Sequence, residues 1–225
     1  GSSQYLSLAD NAIFDLTGDF TIELWFKIET LDGSFSPTIL SKDKTGSLGY
    51  TLRVNYTTGK IEWVKHDASV EIDSITTFAT GMDWTHLAIT RTGVNSKLYI
   101  NGIEDNSVAD FSVHTDCDSQ FRIGESTVQA GRPFDGKIDD VRVWDDVRTE
   151  AEIRANRYSE LDGDEAGLVG YWKFNQTTTE LASDGDTVAL WHMNGVVGAA
   201  AKKDNVEGTA GLDISTETNA PTSTV

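Results

Sequence analysis

Strict alternation of apolar and polar residues over Phe20–Ile28 commits this chain to β structure. Phe20, Ile22, Leu24, Phe26 and Ile28 fall on one side of an extended backbone, and Thr21, Glu23, Trp25 and Lys27 on the other, because successive strand side chains point to opposite faces. The first set is expected to face a core. The second, with Trp25 among hydrophilic neighbours, suggests a semi-exposed sheet face. Shorter runs of the same kind recur at Tyr5–Leu8, Thr38–Ser41, Gly49–Tyr56, Lys60–His66, Val70–Ile72, Trp84–Arg91, Lys97–Ile100, Ile103–Asp105, Phe121–Gly124, Ile138–Trp144 and Leu168–Asn175. Between them stand turn signals. Asn101-Gly102 is the strongest, since both residues tolerate the positive φ of a type I′ hairpin. Leu31–Pro37 and Lys42–Leu48 read as loops, and Asp10-Asn11 as a polar turn.

One helix interrupts the strands. Thr149 and Glu152 have the spacing of a capping box, in which each side chain satisfies a free N–H at the helix start, so a short helix is expected over about Glu150–Tyr158. It follows directly on the strand Ile138–Trp144, where alternation puts Asp139, Val141 and Val143 on one face and Ile138, Asp140, Arg142 and Trp144 on the other. The whole pattern reads as an all-β, two-sheet antiparallel jelly-roll sandwich with one short helix. Residues 1–175 form the sandwich. Residues 176–225 form a C-terminal extension rich in Thr, Ala, Gly and Asp, with one strand-like piece at 188–194. That piece, Val188-Ala-Leu-Trp-His-Met-Asn194, aligns without a gap with Val169-Gly-Tyr-Trp-Lys-Phe-Asn175.

Charge narrows the partners. A formal net charge of −18 opposes binding to nucleic acid and to anionic membranes. No apolar run approaches the ~20 residues that span a bilayer. Cys117 is the single cysteine, which excludes an intrachain disulfide, and a bacterial, archaeal or phage surface protein is expected rather than a vertebrate secreted module. No signal peptide is visible, so the chain reads as mature, trimmed or recombinant.

Catalytic signatures are absent. There is no G-x-S-x-G, H-E-x-x-H or G-x-x-x-x-G-K, and the four His show no i, i+4 pairing. Asp139 and Asp140 are neighbours whose side chains are expected on opposite faces, so they cannot serve as the paired carboxylates of a glycosidase. Sugar sites combine aromatic faces with polar groups. Among the aromatic strand residues, Trp63 is the least committed to a core, and with Glu62 and His66 it makes the candidate ligand face.

Seven short motifs stand in one order: Tyr5-Leu-Ser-Leu8, Leu16-Thr-Gly-Asp-Phe-Thr-Ile-Glu-Leu-Trp25, Trp84-Thr-His-Leu-Ala-Ile-Thr90, Leu98-Tyr-Ile-Asn-Gly102, Phe121-Arg-Ile-Gly124, Phe134-Asp-Gly-Lys-Ile-Asp-Asp-Val-Arg-Val-Trp144 and the helix start Glu150–Ile153. In order and spacing they resemble the laminin-G-like jelly roll of the concanavalin A-like lectin/glucanase superfamily, particularly its bacterial repeats and the pentraxins, over about residues 4–175. The glucanase branch carries E-x-D-x-x-E on one strand. Glu71-Ile-Asp73 begins that pattern, but Thr76 stands where the last acid belongs. The resemblance therefore implies no enzyme but a non-catalytic extracellular adhesion or carbohydrate-binding module of a multi-domain surface or secreted protein. A structural repeat or filament subunit and a glycoside hydrolase are the alternatives. It implies calcium, a cation that takes six to eight oxygen ligands, with Asp43 and Glu125 in the loops that correspond to the pentraxin-like site. Asp139 corresponds to the family's recurrent Asp, and Asp10 with Asn11 is placed at a rim. The pentraxins carry a longer acidic run where this chain has Glu125-Ser126-Thr127. A glycan or cell-surface ligand is the implied partner. The resemblance also reads the chain as a unit cut from an array, with residues 188–194 completing its own sandwich or a neighbour's.

Overall fold

The computed structural model describes residues 5–31, 33–44, 48–65, 69–112, 116–128 and 131–174, and structural statements below concern these residues. The expectations for His66 and for residues 176–225, including 188–194, lie outside them. In chain order the elements are β1 (Leu6–Leu8), a 3-10 turn (Ala12–Phe14), β2 (Phe20–Ile28), β3 (Thr38–Lys44), β4 (Leu48–Val54), β5 (Lys60–Lys65), β6 (Val70–Thr77), β7 (Thr85–Thr92), β8 (Asn95–Ile100), β9 (Ile103–Val108), β10 (Phe121–Ile123), β11 (Gly136–Trp144), α1 (Glu150–Asn156) and β12 (Leu168–Trp172). They form two six-stranded sheets. Sheet A runs β1-β10-β3-β4-β5-β6 and sheet B runs β12-β11-β2-β7-β8-β9, with every described pairing antiparallel. This is the jelly-roll sandwich the alternation implies. None of the described helices is long and apolar enough to cross a membrane.

The inner faces meet in one core. Phe20, Ile22, Leu24, Phe26 and Ile28 of β2 all enter it, with Leu87 and Ile89 of β7 and Leu52, Val54, Ile61 and Trp63 from sheet A. The Asn101-Gly102 hairpin forms as expected, with φ of 54° and 76°. It also touches the helix: a Cβ on Gly102 would lie 3.0 Å from Arg154 Cα, so glycine serves both the turn and the packing.

Three features depart from the alternation. β3 runs on to Lys44, so Lys42 and Asp43 are strand residues and not part of a loop. Trp25 is not semi-exposed but 2% accessible. Residues 146–161 and α1 cover the outer face of sheet B, and Trp25 Nε1 donates to Arg157 O at 2.9 Å. Finally, β11 carries a bulge. Asp139 pairs with Trp25 and Arg142 with Glu23, so one extra residue is inserted and the face parity switches. Ile138 therefore packs against the core with Val141 and Val143 instead of sharing a face with Arg142 and Trp144.

The helix begins as its sequence dictates. Thr149 accepts from Glu152 N at 3.3 Å, and Thr149 N donates to Glu152 Oε2 at 2.8 Å. The bonds that Thr149 N and Thr149 Oγ1 donate to Glu152 Oε2 hold the Glu152 carboxyl below its ordinary value. Ile153 then packs on Ala88 and Tyr99 of sheet B. Thr149→Ala is expected to lower stability by about 1 kcal/mol, read as a reduced denaturation midpoint with an unchanged denaturant slope.

Candidate functional site

Strand parity separates the residues that the sequence placed together. Leu52 pairs with Trp63 and Arg53 with Glu62, so Trp63 points inward and Glu62 outward. Trp63 is 0% accessible and stacks on Tyr50 (4.6 Å between centroids, 12° between planes) and on Phe20 (5.3 Å). Its reading as a ligand platform is corrected by this burial: no ring face reaches solvent. Glu62 remains on the outer face of sheet A, where it organises a polar row. Arg53 Nε and NH2 donate to Glu62 Oε2 at 2.9 and 2.8 Å, and Asn55 Nδ2 donates to Glu62 Oε1 at 2.7 Å. The Arg53 side chain keeps 21% of its surface accessible. Beside this row, Lys60 pairs with Asp73 at 2.6 Å.

The same outer face holds Asp43. It pairs with Gly49, and Ser41 with Thr51 and Arg122, which puts Asp43, Ser41, Thr51 and Arg122 on one side. Asp43 fastens the turn after β10. It accepts from Thr51 Oγ1 (2.8 Å), Thr127 N (3.2 Å), Thr127 Oγ1 and Ser126 Oγ (3.3 Å), while Ser41 Oγ donates to Glu125 O at 3.1 Å. Asp43, a residue of β3, thus holds the turn that contains Glu125. Glu125 is 7% accessible and takes a long bond from Gly131 N, 3.4 Å. Arg53, Asn55 and Arg122 carry no motif and were missed as functional candidates. Their only signal was their parity with the outward Glu62 and Ser41.

The remaining carboxylates lie elsewhere. Asp139 sits in sheet B, 1% accessible, and its Oδ1 accepts from Asp140 N at 2.8 Å. It stabilises the bulge, where Asp140 has φ of 52°. The bulge also overturns the expectation of opposite faces: Asp140 reaches Arg142 at 2.5 Å beneath the covering segment. Asp10 precedes Asn11, which caps the 3-10 turn, and a cation of the chain's own takes the Asp10 carboxylate. Lys42, 1% accessible, points inward opposite Tyr50. Its Nζ contacts Asp10 Oδ1 (2.9 Å), Asp15 Oδ1 (2.7 Å), Asp116 Oδ1 (3.9 Å) and Cys117 O. Burial works to depress its pKa, but Asp10 and Asp15 outweigh burial and hold the ammonium above its ordinary value.

The five predicted metal ligands therefore occupy three separate places and cannot form one calcium site. Among the described residues, three carboxylates within 4.8 Å of one another occur only at Asp162, Asp164 and Glu165 on the surface. There Glu165 already accepts from the N–H groups of Asp162 and Gly163. The acids nearest a glycosidase pattern are also engaged. Glu71 accepts from Ser112 N and Oγ, both at 2.8 Å, and from Ser69 Oγ at 3.0 Å. Burial alone would raise its pKa, but Ser112, Ser69 and Lys65 together lower it, which is the wrong direction for a general acid at neutral pH.

Replacing Lys42 by Met would leave its carboxylates without a counter-charge. A loss on the order of 3 kcal/mol is expected, measured by urea denaturation. The raised Lys42 pKa gives stability that is fully present below its ordinary value of 10.5 and lost as pH rises through the folded value. The wild-type midpoint should fall above that pH, and this alkaline limb should flatten in Lys42→Met.

Comparison with known proteins extends these observations. A family model described as the concanavalin A-like lectin/glucanases superfamily matches residues 1–154. No curated protein matches the chain. Among solved structures, a Bacteroides ovatus protein to which carbohydrate binding is ascribed is 23% identical with a TM-score of 0.61, covering 76% of this chain and 49% of that one. Domain 4 of AbnA, a GH43 extracellular arabinanase from Geobacillus stearothermophilus, solved in complex with arabinotriose, is 25% identical with a TM-score of 0.51, over 63% of this chain and 68% of that one. The botulinum neurotoxin serotype D binding domain is 19% identical with a TM-score of 0.51, over 69% of this chain and 40% of that one. This chain thus spans about half of the first protein and less than half of the third, and these two likenesses are of fold.

Proposed function

We propose that this chain, which belongs to the concanavalin A-like lectin/glucanases superfamily, is a non-catalytic carbohydrate-binding module of a surface or secreted protein. The outer face of sheet A takes the sugar. The observation that carries this reading is the row Arg53–Glu62–Asn55, in which one buried carboxylate fixes a guanidinium and an amide side by side on a rigid strand pair. A guanidinium held in this way presents hydrogen bonds to sugar hydroxyls with little ordering cost, while Asn55, whose Oδ1 accepts from Thr57 N (2.9 Å) and Thr58 N (3.1 Å), anchors the row to the adjoining turn. The likeness to an arabinanase domain solved with arabinotriose supports the ligand class. A net charge of −18 favours a neutral glycan over an acidic one.

Calorimetric titration with neutral oligosaccharides, arabinotriose first, tests the proposal. Arg53→Ala should weaken binding at least about tenfold, the equivalent of ~1.4 kcal/mol, without lowering the melting temperature to the assay range. No hydrolysis product should form. Failure to bind any neutral glycan on an array would overturn the reading, and release of reducing ends by the pure protein would overturn its non-catalytic part.

Calcium is proposed at one place only, the Asp43–Glu125 turn. Its support is that oxygens of Asp43, Ser126 and Thr127 meet at the turn that carries the buried residue Glu125. A cation present at a hundred times its dissociation constant adds about 2.7 kcal/mol, a shift of roughly 2–4 °C for a domain of this size. Wild type should show that shift between EDTA and millimolar calcium, and Glu125→Gln should lose it. Identical melts for wild type in the two buffers would remove calcium from the account.

A further inference from the structure

The two lateral edges of the sandwich are finished differently. On one side β6 ends sheet A and β9 ends sheet B. There Asp105 of β9 turns its carboxylate onto the backbone N–H groups of Ile75 (2.6 Å) and Thr76 (3.1 Å), and Asn106 Nδ2 donates to Asp73 O at 2.7 Å. Groups that would template another strand are consumed by side chains, which is one way proteins close an edge. On the other side β12 ends sheet B. Among the described residues it pairs with β11 alone, and all five of its residues, LVGYW, are buried without a charge or a proline. Among the described residues, no side chain caps its second edge as Asp105 caps β6.

Beyond this edge the sequence repeats it. Residues 188–194, VALWHMN, align without a gap with residues 169–175, VGYWKFN, and share the Val, the Trp and the final Asn. Gly170 pairs with Val143 and Trp172 with Val141, both core residues, so the small residue and the Trp of β12 share the core-facing parity. Ala189 and Trp191 are their counterparts. The connection is ample: residues 173–187 must cover a gap of one inter-strand spacing, about 4.8 Å.

We propose that residues 188–194 add to the open edge of β12 within the same chain. Their backbone supplies the partners that the edge lacks, Ala189 and Trp191 take the core side, and Leu190 and His192 the outer side. The strand added in this way extends sheet B past the point where Trp172 stacks on Phe121 of sheet A (5.6 Å). The proposal is independent of the carbohydrate reading.

Hydrogen–deuterium exchange on the full chain tests it, with Leu190→Pro as the disrupting variant and Thr178→Pro as a control in the connection. A proline inside a strand removes a ladder donor. Amides of 188–194 should exchange at least roughly a hundredfold more slowly than unstructured amides, in a species of 24.6 kDa by light scattering at every concentration. Leu190→Pro should abolish that protection and speed exchange in β12, while Thr178→Pro should do neither. Exchange of 188–194 at the unstructured rate in wild type would overturn the proposal. So would protection confined to a species of twice the mass or more, which would mean that the strand is given to a second copy.

Discussion

Aromatic rings set the distance between the two sheets, and the rest of the molecule follows from that distance. Phe20 of sheet B stacks on Trp63 of sheet A, which stacks in turn on Tyr50. A second column joins Trp172 of sheet B to Phe121 of sheet A, with Phe14 stacked on Phe121 at 4.8 Å. Large flat side chains bury much apolar area and admit few alternative packings. With the sheets fixed in this way, any polar residue of inward parity must find partners inside. Tyr50 does so through a hydroxyl bond to Phe14 O at 2.7 Å, and Lys42 through its carboxylates.

Both outer faces are more elaborate than a solvated sheet surface. On sheet B the segment that holds α1 covers Glu23, His86 and Arg142, each at most 2% accessible. Arg142 donates to the backbone oxygens of Asn156 (3.0 Å) and Ser159 (2.6 Å), so the sheet's own guanidinium terminates the turn that covers it. Burial lifts the Asp140 carboxyl above its ordinary value against the pull of Arg142 and Tyr171. Charge is kept there for the backbone it organises, and at a cost, because among the described residues Glu23 Oε2, His86 Nδ1 and Arg142 Nε are buried without a hydrogen-bond partner. On sheet A, among the described residues, Asp43 fastens down the 125–128 turn, and the Arg53 side chain of the polar row keeps 21% of its surface accessible.

The strands, the hairpin at Asn101-Gly102 and the capped helix were legible because each follows from a short-range rule. Period two, positive φ and a reciprocal cap need no knowledge of what lies across the core. The β11 bulge was not legible, since one inserted residue leaves local composition unchanged while exchanging faces for everything before it. The candidate site shows the same division. Pairing Trp63 with Glu62 overlooked parity on one strand, whereas Asp43 was linked to Glu125 by the resemblance alone, and the structure joins Asp43 to Ser126 and Thr127 of that turn. Lys42 went unread because Lys-Asp-Lys looks like a solvated loop from its composition.

What the sequence determined by itself is the β architecture, its inner face along β2 and β7, and an acidic character that disfavours polyanionic partners. Hydrophobic periodicity and net charge are local or additive, so they survive without a fold. Tertiary structure alone decided which carboxylates meet. Asp10 and Asp15 converge on Lys42, Asp43 on the 125–127 turn, and Asp139 on its own bulge, although nothing in their spacing distinguishes them. A carboxylate's role depends on which donors reach it within about 3 Å, and the Thr127 groups that reach Asp43 come from 84 residues away in sequence, an arrangement that only the pairing of β10 with β3 can specify.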